Sequence, residues 1–404
     1  MVIPVLFFRH EASAARASRL RRAARALRAA ALAGCLAALA GCAAVHQPMG
    51  APVQAPHIVG RTLVAPDGAH LPLRAWLPQG PARAVVLALH GMNDYSNAFE
   101  MPAQYWARHG VATYAYDQRG FGRAAQPGIW SDTATMAADL DAAVDAIAAR
   151  HPQLPLYLLG ESMGGAVVVA ALASPPAAGR PPLAQRVRGA ILSSPALWGR
   201  QTMNPFYRLT LWAAYHTMPG LEVRPPRGLK IEPSDNLDML RALGRDPLVL
   251  KRTRIDAVSG LVDLMSRGYA DLDRLPSELP VLVLYGQHEQ VLDRAAVTQA
   301  IGRLEDAAAG APTRLSVYPL GYHMLLRDRC AGIVWDDVLA WLDDAGAPLP
   351  SGGEGVAWRE RAEAQAPVCT DAQAAAHGGP PRESAALEGT IRAGTVREGA
   401  AAGR

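Results

Sequence analysis

The sequence contains no His-Glu-x-x-His, no Cys-x-x-Cys and no Gly-x-Gly-x-x-Gly. It therefore gives no support to a zinc hydrolase, a structural zinc site or a dinucleotide-binding loop. Cysteine is scarce, with four residues in 404, at positions 35, 42, 330 and 369. No stretch reads as a permanent membrane span, which needs about 20 apolar residues; the Ala-rich run 29–41 has 13. The excess of basic charge is concentrated at one end. The first 28 residues hold seven arginines against one glutamate, and without residues 1–41 the formal charge falls from +4 to −2. No basic stripe remains in the rest of the chain, so nucleic-acid binding loses its main support.

The basic segment followed by the apolar run reads as a secretory signal. The run closes on Leu39-Ala40-Gly41-Cys42, which resembles the lipobox of bacterial lipoproteins, whose cysteine is lipidated and becomes the mature N-terminus. Leu32-Ala33-Gly34-Cys35 has the same form, but only six residues separate Cys35 from Arg28, too few for an apolar core. Cys42 is therefore the preferred lipidation site, against the competing reading of a plain signal peptide. Ala43 and Ala44 follow with no aspartate, a pattern that in such lipoproteins favours the outer membrane, facing the periplasm. Residues 42–56, rich in Ala, Pro and Gln, read as a tether between lipid and fold. In an oxidising envelope Cys330 and Cys369 either pair, tying the tail to the body, or stay as two thiols.

Thr62–Ala65 and Leu71–Leu77 flank Asp67-Gly68 and predict a hairpin. Near-continuous apolar strands follow at Ala84–Leu89, Val111–Tyr116, Leu154–Leu159, Gly189–Leu192, Val281–Tyr285 and Leu315–Tyr318. Helical segments such as Phe99–His109 and Thr133–Arg150 alternate with them. That rhythm predicts an α/β fold with a mostly parallel central sheet flanked by helices. From about Trp198 to Asp273 the rhythm breaks. Trp198, Met203, Phe206, Tyr207, Leu211, Trp212, Tyr215 and Met218 predict a helical cap insertion whose aromatics serve as core or as acyl-pocket lining. The main domain is expected over 57–345, and residues 346–404, lacking apolar period, read as a disordered tail.

Gly160-Glu161-Ser162-Met163-Gly164-Gly165 joins an apolar strand to the helical Ala166–Ala173. A serine at the apex of such a turn sits in a strained conformation, flanked by glycines that let strand and helix approach. Four further motifs stand in order around it: His90-Gly91-Met92, Asp117-Gln118-Arg119-Gly120-Phe121-Gly122, Gly286 to Val291, and Gly321-Tyr322-His323. Together the five resemble the monoacylglycerol lipase and lysophospholipase group of the α/β-hydrolase superfamily, also labelled serine aminopeptidase S33-like.

The resemblance implies Ser162 as nucleophile, Glu289 as orienting acid and His323 as general base, with an oxyanion hole from the N–H groups of Met92 and Met163. It departs in one place, because family members usually carry aspartate where Glu289 stands, and Asp293 remains a competitor for the acid. Met92 also has a plain reading as a core methionine. His90 is expected to brace its turn and His288 to be a solvated neighbour of the acid. Asp117 and Arg119 read as ties between loops, and Glu161 as a shaper of access. The chemistry implied is hydrolysis of lipid esters such as monoacylglycerols or lysophospholipids through an acyl-enzyme, with no cofactor and no metal. Two alternatives stand beside it. An S33-type peptidase needs a site for a substrate amine, for which the cap offers Glu222, Glu232, Asp235 and Asp238. A non-catalytic envelope lipoprotein would keep only the scaffold.

Overall fold

A computed structural model describes residues 43–224, 230–307, 313–359 and 367–376, together with Arg25 and Arg28. The signal segment's apolar run, Cys35, Cys42 and residues 377–404 lie outside the described residues. In chain order the strands are β1 (His57–Val59), β2 (Thr62–Val64), β3 (His70–Trp76), β4 (Ala84–Leu89), β5 (Val111–Tyr116), β6 (Leu156–Glu161), β7 (Gly189–Ser193), β8 (Glu222–Val223), β9 (Thr253–Arg254), β10 (Val281–Gly286) and β11 (Thr313–Tyr318). Nine of them form one sheet in the order β1-β2-β3-β5-β4-β6-β7-β10-β11. The pairs from β5 to β11 are parallel, while β1, β2 and β3 attach antiparallel at one edge. The expected hairpin is the β2–β3 turn at Asp67-Gly68.

Parallel strands need crossover helices, and these cover both faces. The helices are α1 (Glu100–Arg108), α2 (Thr133–Arg150), α3 (Met163–Leu172), α4 (Pro205–Thr217), α5 (Leu237–Arg245), α6 (Ile255–Ala270), α7 (Arg294–Ala307), α8 (Ala331–Asp343) and α9 (Asp371–Ala376). One core lies between the sheet and α2, α3, α6 and α7; the other lies under α1 and α8, around Trp106, Trp335 and Trp341. Along β4, Val85, Leu87 and Leu89 enter the first core and Ala84, Val86 and Ala88 the second. That two-residue alternation between two buried faces is why the strand reads as an unbroken apolar run.

The cap is smaller than the sequence suggests. Residues from Ile255 onward belong to α6, which packs along α3 with Ile255, Leu264 and Met265 buried, so the insertion ends near Arg254 at the short β8–β9 ribbon. Its aromatics do not form a core either. Phe206, Tyr207 and Trp212 are exposed, and α4 buries no residue.

Both flanking segments depart from the expected free chain. Residues 43–56 run along the body, with the Gln47 N–H donating to Trp130 O at 2.8 Å, the Met49 N–H to Thr135 Oγ1 at 3.0 Å and the Gly50 N–H to Asp67 Oδ2 at 2.9 Å. Backbone donors in a polar segment find partners on surface loops, which composition cannot register. Likewise, residues 346–359 and 367–376 are attached rather than disordered. Glu354 pairs with Arg314 at 2.5 Å, the Trp358 indole donates to Thr298 Oγ1 at 2.9 Å, and Cys369 forms a disulfide with Cys330. Single anchors of this kind hold a segment whose average composition is polar.

Candidate active site

Four motif loops open at the C-terminal edge of neighbouring parallel strands: the His90 turn after β4, Ser162 after β6, the Glu289 turn after β10 and the His323 loop after β11. This edge is the usual ligand side of an open α/β sheet. At its centre Ser162 has φ 54° and ψ −115°, a conformation that costs a non-glycine residue about 1–3 kcal/mol. The surroundings impose it. The Ser162 N–H donates to Ser193 O at 3.0 Å while its carbonyl accepts from the Gly165 and Ala196 N–H groups at 3.0 and 2.9 Å. A side chain at Gly160 would stand 2.5 Å from the Gly164 backbone, and one at Gly164 would stand 2.1 Å from Leu89 O. Neither position tolerates a Cβ.

His323 is buried, and its Nδ1 donates to Glu289 Oε2 at 2.7 Å. The other carboxylate oxygen of Glu289 accepts the N–H groups of Val291 and Leu292 at 2.7 and 2.9 Å, which fixes the carboxylate plane. Burial works most strongly against both charges, but their mutual attraction and hydrogen bond, joined by the Val291 and Leu292 N–H groups on Glu289 and by the Glu161 charge near His323, together outweigh it. Glu289 is held below the usual carboxyl value and His323 above the usual imidazole value. The competitor Asp293 is engaged elsewhere, accepting the Ala296 N–H at 2.9 Å at the start of α7. The carboxylate on His323 is Glu289.

The turn after β4 lies against the serine, since a Cβ at Gly91 would stand 3.3 Å from Ser162 Cβ. His90 braces it. Its Nδ1 donates to Gly91 O at 2.8 Å and its Nε2 accepts the Gln118 N–H at 3.1 Å, which sets the tautomer. Burial holds its proton affinity below the usual imidazole value. Met92 is half-buried against the main core, and the next residue, Asn93, adopts φ 65° and ties the turn to the cap through Thr253 Oγ1 at 2.8 Å. Met163, at the first position of α3, is buried just after the serine.

The remaining residues resolve into structure. Asp117 accepts the Ser96 and Arg123 N–H groups at 3.0 and 2.8 Å, and Arg119 bridges Asp67 and Asp139 at 2.8 and 2.7 Å. His288 is half-buried beside the acid: its ring stacks on Tyr322 at 4.7 Å and Nε2 donates to Pro367 O at 2.8 Å, in an exposed contact with the attached tail. Glu161 does not line an entrance but is buried in an ion pair with Arg327 at 2.6 Å. Among the cap carboxylates, Glu222 and Asp238 are exposed and pair with Arg252 at 3.5 Å and Arg241 at 2.8 Å, Asp235 accepts the Arg329 N–H at 2.8 Å, and Glu232 is exposed. What sequence reading missed is Arg327, whose signal was the run Arg327-Asp328-Arg329 just after the apolar Met324-Leu325-Leu326.

A family model described as serine aminopeptidase, S33, matches residues 80–330. The monoacylglycerol lipase of Mycolicibacterium smegmatis is 27% identical over 290 residues, covering 68% of this chain and 93% of that protein. The monoglyceride lipase of Homo sapiens is 26% identical over 302 residues, covering 73% and 92%. Among solved structures, the monoacylglycerol lipase of Paleococcus ferrophilus superposes with a TM-score of 0.54 at 21% identity, over 68% of this chain and 99% of that one. A soluble variant of monoglyceride lipase from Saccharomyces cerevisiae gives 0.56 at 20% identity, over 73% and 96%. At that identity the two structures speak for the fold.

Proposed function

Because this chain belongs to the serine aminopeptidase S33 family of α/β-hydrolases and is a carboxylic ester hydrolase, we propose that it cleaves monoacylglycerols or lysophospholipids at a membrane, through an acyl-enzyme on Ser162. In this reading Ser162 Oγ attacks the ester carbonyl while His323 Nε2 takes its proton, and Glu289 stabilises the resulting imidazolium through Nδ1. The N–H groups of Met92 and Met163 receive the oxyanion where charge develops. The imidazolium then protonates the departing alcohol. Water, deprotonated by the same imidazole, releases the fatty acid and restores the serine.

The observation that carries the lipid substrate is the outward face of α4. Phe206, Leu209 and Trp212, spaced three apart along one face of the helix, are 66, 62 and 58% exposed, and Tyr207, packed beside Phe206, is 60% exposed. Contiguous apolar exposure of this kind marks an interaction surface. The N-terminal segment meets the same helix, where the Val45 N–H donates to Asp256 Oδ2 of the neighbouring α6 at 3.2 Å and His46 Nε2 lies 3.4 Å from the Tyr215 hydroxyl of α4. A lipid on Cys42 would hold α4 against the bilayer. That anchor, and with it location in a bacterial envelope at the outer membrane facing the periplasm, is part of the proposal and rests on the sequence around Cys42.

The substrate panel is p-nitrophenyl butyrate, a monoacylglycerol, a lysophospholipid and an aminoacyl anilide, presented side by side. Vesicle-borne lipid esters are expected to be cleaved, and Phe206→Ser/Trp212→Ser to slow them by about tenfold or more through lost apolar burial, with the dissolved ester unaffected. Faster turnover of the anilide than of every ester would turn the reading toward a peptidase. Equal loss on dissolved and vesicle-borne esters would remove the membrane face. Separately, Cys42→Ser is expected to abolish palmitate incorporation and to leave an unlipidated precursor; label on Cys35 would contradict the anchor.

A further inference from the structure

The charged groups that the reaction above leaves unused converge on Arg327. It ends the short turn Leu325–Arg327, four residues past His323, and is 4% exposed. Nη1 donates to Asp94 Oδ2 at 2.7 Å and Nη2 donates to Glu161 Oε1 at 2.6 Å. Asp94 stands two residues beyond Met92 in the turn after β4, and Glu161 is the last residue of β6, immediately before Ser162. One guanidinium thus touches the loops of all three parts of the reaction: serine, oxyanion donor and imidazole.

We propose that Arg327 is a positioning residue that locks the nucleophile turn, the oxyanion turn and the histidine loop in register. The inference rests on the reading of Ser162 and His323 given above. A planar fork with separate donor edges holds two carboxylates on different loops at once, which a lysine ammonium does as a single point charge only loosely. Stability is a poor account of the arrangement, because burying three charges costs desolvation that well-packed apolar side chains would avoid. The next residue extends the lock. Asp328 Oδ2 accepts the Tyr322 N–H at 2.7 Å, directly ahead of His323, and its Oδ1 accepts the Ser234 hydroxyl of the cap at 2.6 Å.

The charges acting on His323 come from each element around it: Glu289 after β10, Glu161 at the end of β6 and Arg327 in its own loop, with Asp94 behind Arg327 and Asp328 behind Tyr322. Glu161 raises the proton affinity of His323 and Arg327 lowers it. Variants of the two therefore move the acid limb of kcat/KM in opposite directions.

The test is steady-state hydrolysis of dissolved p-nitrophenyl butyrate by the full chain across pH, for wild type, Arg327→Met, Arg327→Lys and Glu161→Gln. Arg327→Met is expected to lower kcat by about 100-fold with KM little changed, as for a misplacement of about 1 Å. Its acid limb moves up, since a cation is lost and Glu161 is left uncompensated. Arg327→Lys restores part of kcat and most of the limb. Glu161→Gln keeps the bridge to Asp94, lowers kcat by about tenfold and moves the limb down; it carries the test by itself if Arg327→Met does not fold. Unchanged kcat in the folded variants overturns the proposal, and so does a fall in kcat with an unmoved limb. An essential Ser162 beside an indifferent Arg327 sinks this inference alone, whereas an active Ser162→Ala would sink the underlying reading.

Discussion

Ser162→Ala is expected to lower kcat on p-nitrophenyl butyrate by about 10⁴- to 10⁶-fold, and His323→Ala by a similar factor, because nucleophile and base act as one unit. The double variant should then be little worse than either single one. The site geometry favours a loss of this size: the serine is held at φ 54° by bonds on both sides, and the imidazole it is assigned is buried on a carboxylate. Folding should survive the serine change, since alanine removes one hydroxyl from a half-buried position. Substantial esterase activity in purified Ser162→Ala, against a clean background, would contradict the assignment. Additive losses in the double variant would separate the two residues.

Glu289→Gln is expected to lower kcat by about 10³- to 10⁴-fold with the fold intact, since an amide neither stabilises the imidazolium nor holds the Nδ1 tautomer. Its effect on pH dependence has a definite sign. His323 must be neutral to take the serine proton, and its proton affinity stands above the usual imidazole value because the charge and hydrogen bond of Glu289, with the Glu161 charge, together exceed the cost of burial. Wild-type activity therefore falls as pH drops through that raised value. Without the carboxylate charge, burial dominates and the acid limb of kcat/KM moves to lower pH. Asp293→Asn should leave kcat within a few-fold, because that side chain caps α7 and does not touch His323. The reverse ranking of the two variants would transfer the acid to Asp293.

Much of the scaffold is legible in the sequence because its physics is local. β4 and β5 run over the same residues as the apolar segments that predict them, since both faces of each strand are buried and Thr113 is the one small polar residue within either run. α2 begins where Asp132 offers its carboxylate to the Thr135 N–H at 2.7 Å, a signal contained in four residues. The serine turn is legible for the same reason, its glycines being demanded by contacts that the motif itself creates. What is not legible depends on partners far along the chain. Arg327 meets Asp94 and Glu161 across 233 and 166 residues, and its charge in isolation says nothing of burial. The attachment of the tail through Trp358 is likewise invisible to composition, whereas its tie through Cys369 is one of the two readings that the cysteine pair left open. The cap aromatics mislead in the opposite sense: apolar residues usually mark a core, and here α4 turns them outward.

The central claim is that Ser162 is the residue that becomes acylated, and labelling with a fluorophosphonate tests it most directly. The probe reacts only with a serine whose hydroxyl is activated by a neighbouring base and whose adduct is held in an oxyanion site. The account predicts one equivalent of label on the full chain, located by mass spectrometry on Ser162, absent from Ser162→Ala and strongly slowed in His323→Ala. Label on another residue, or undiminished labelling of Ser162→Ala, would contradict it.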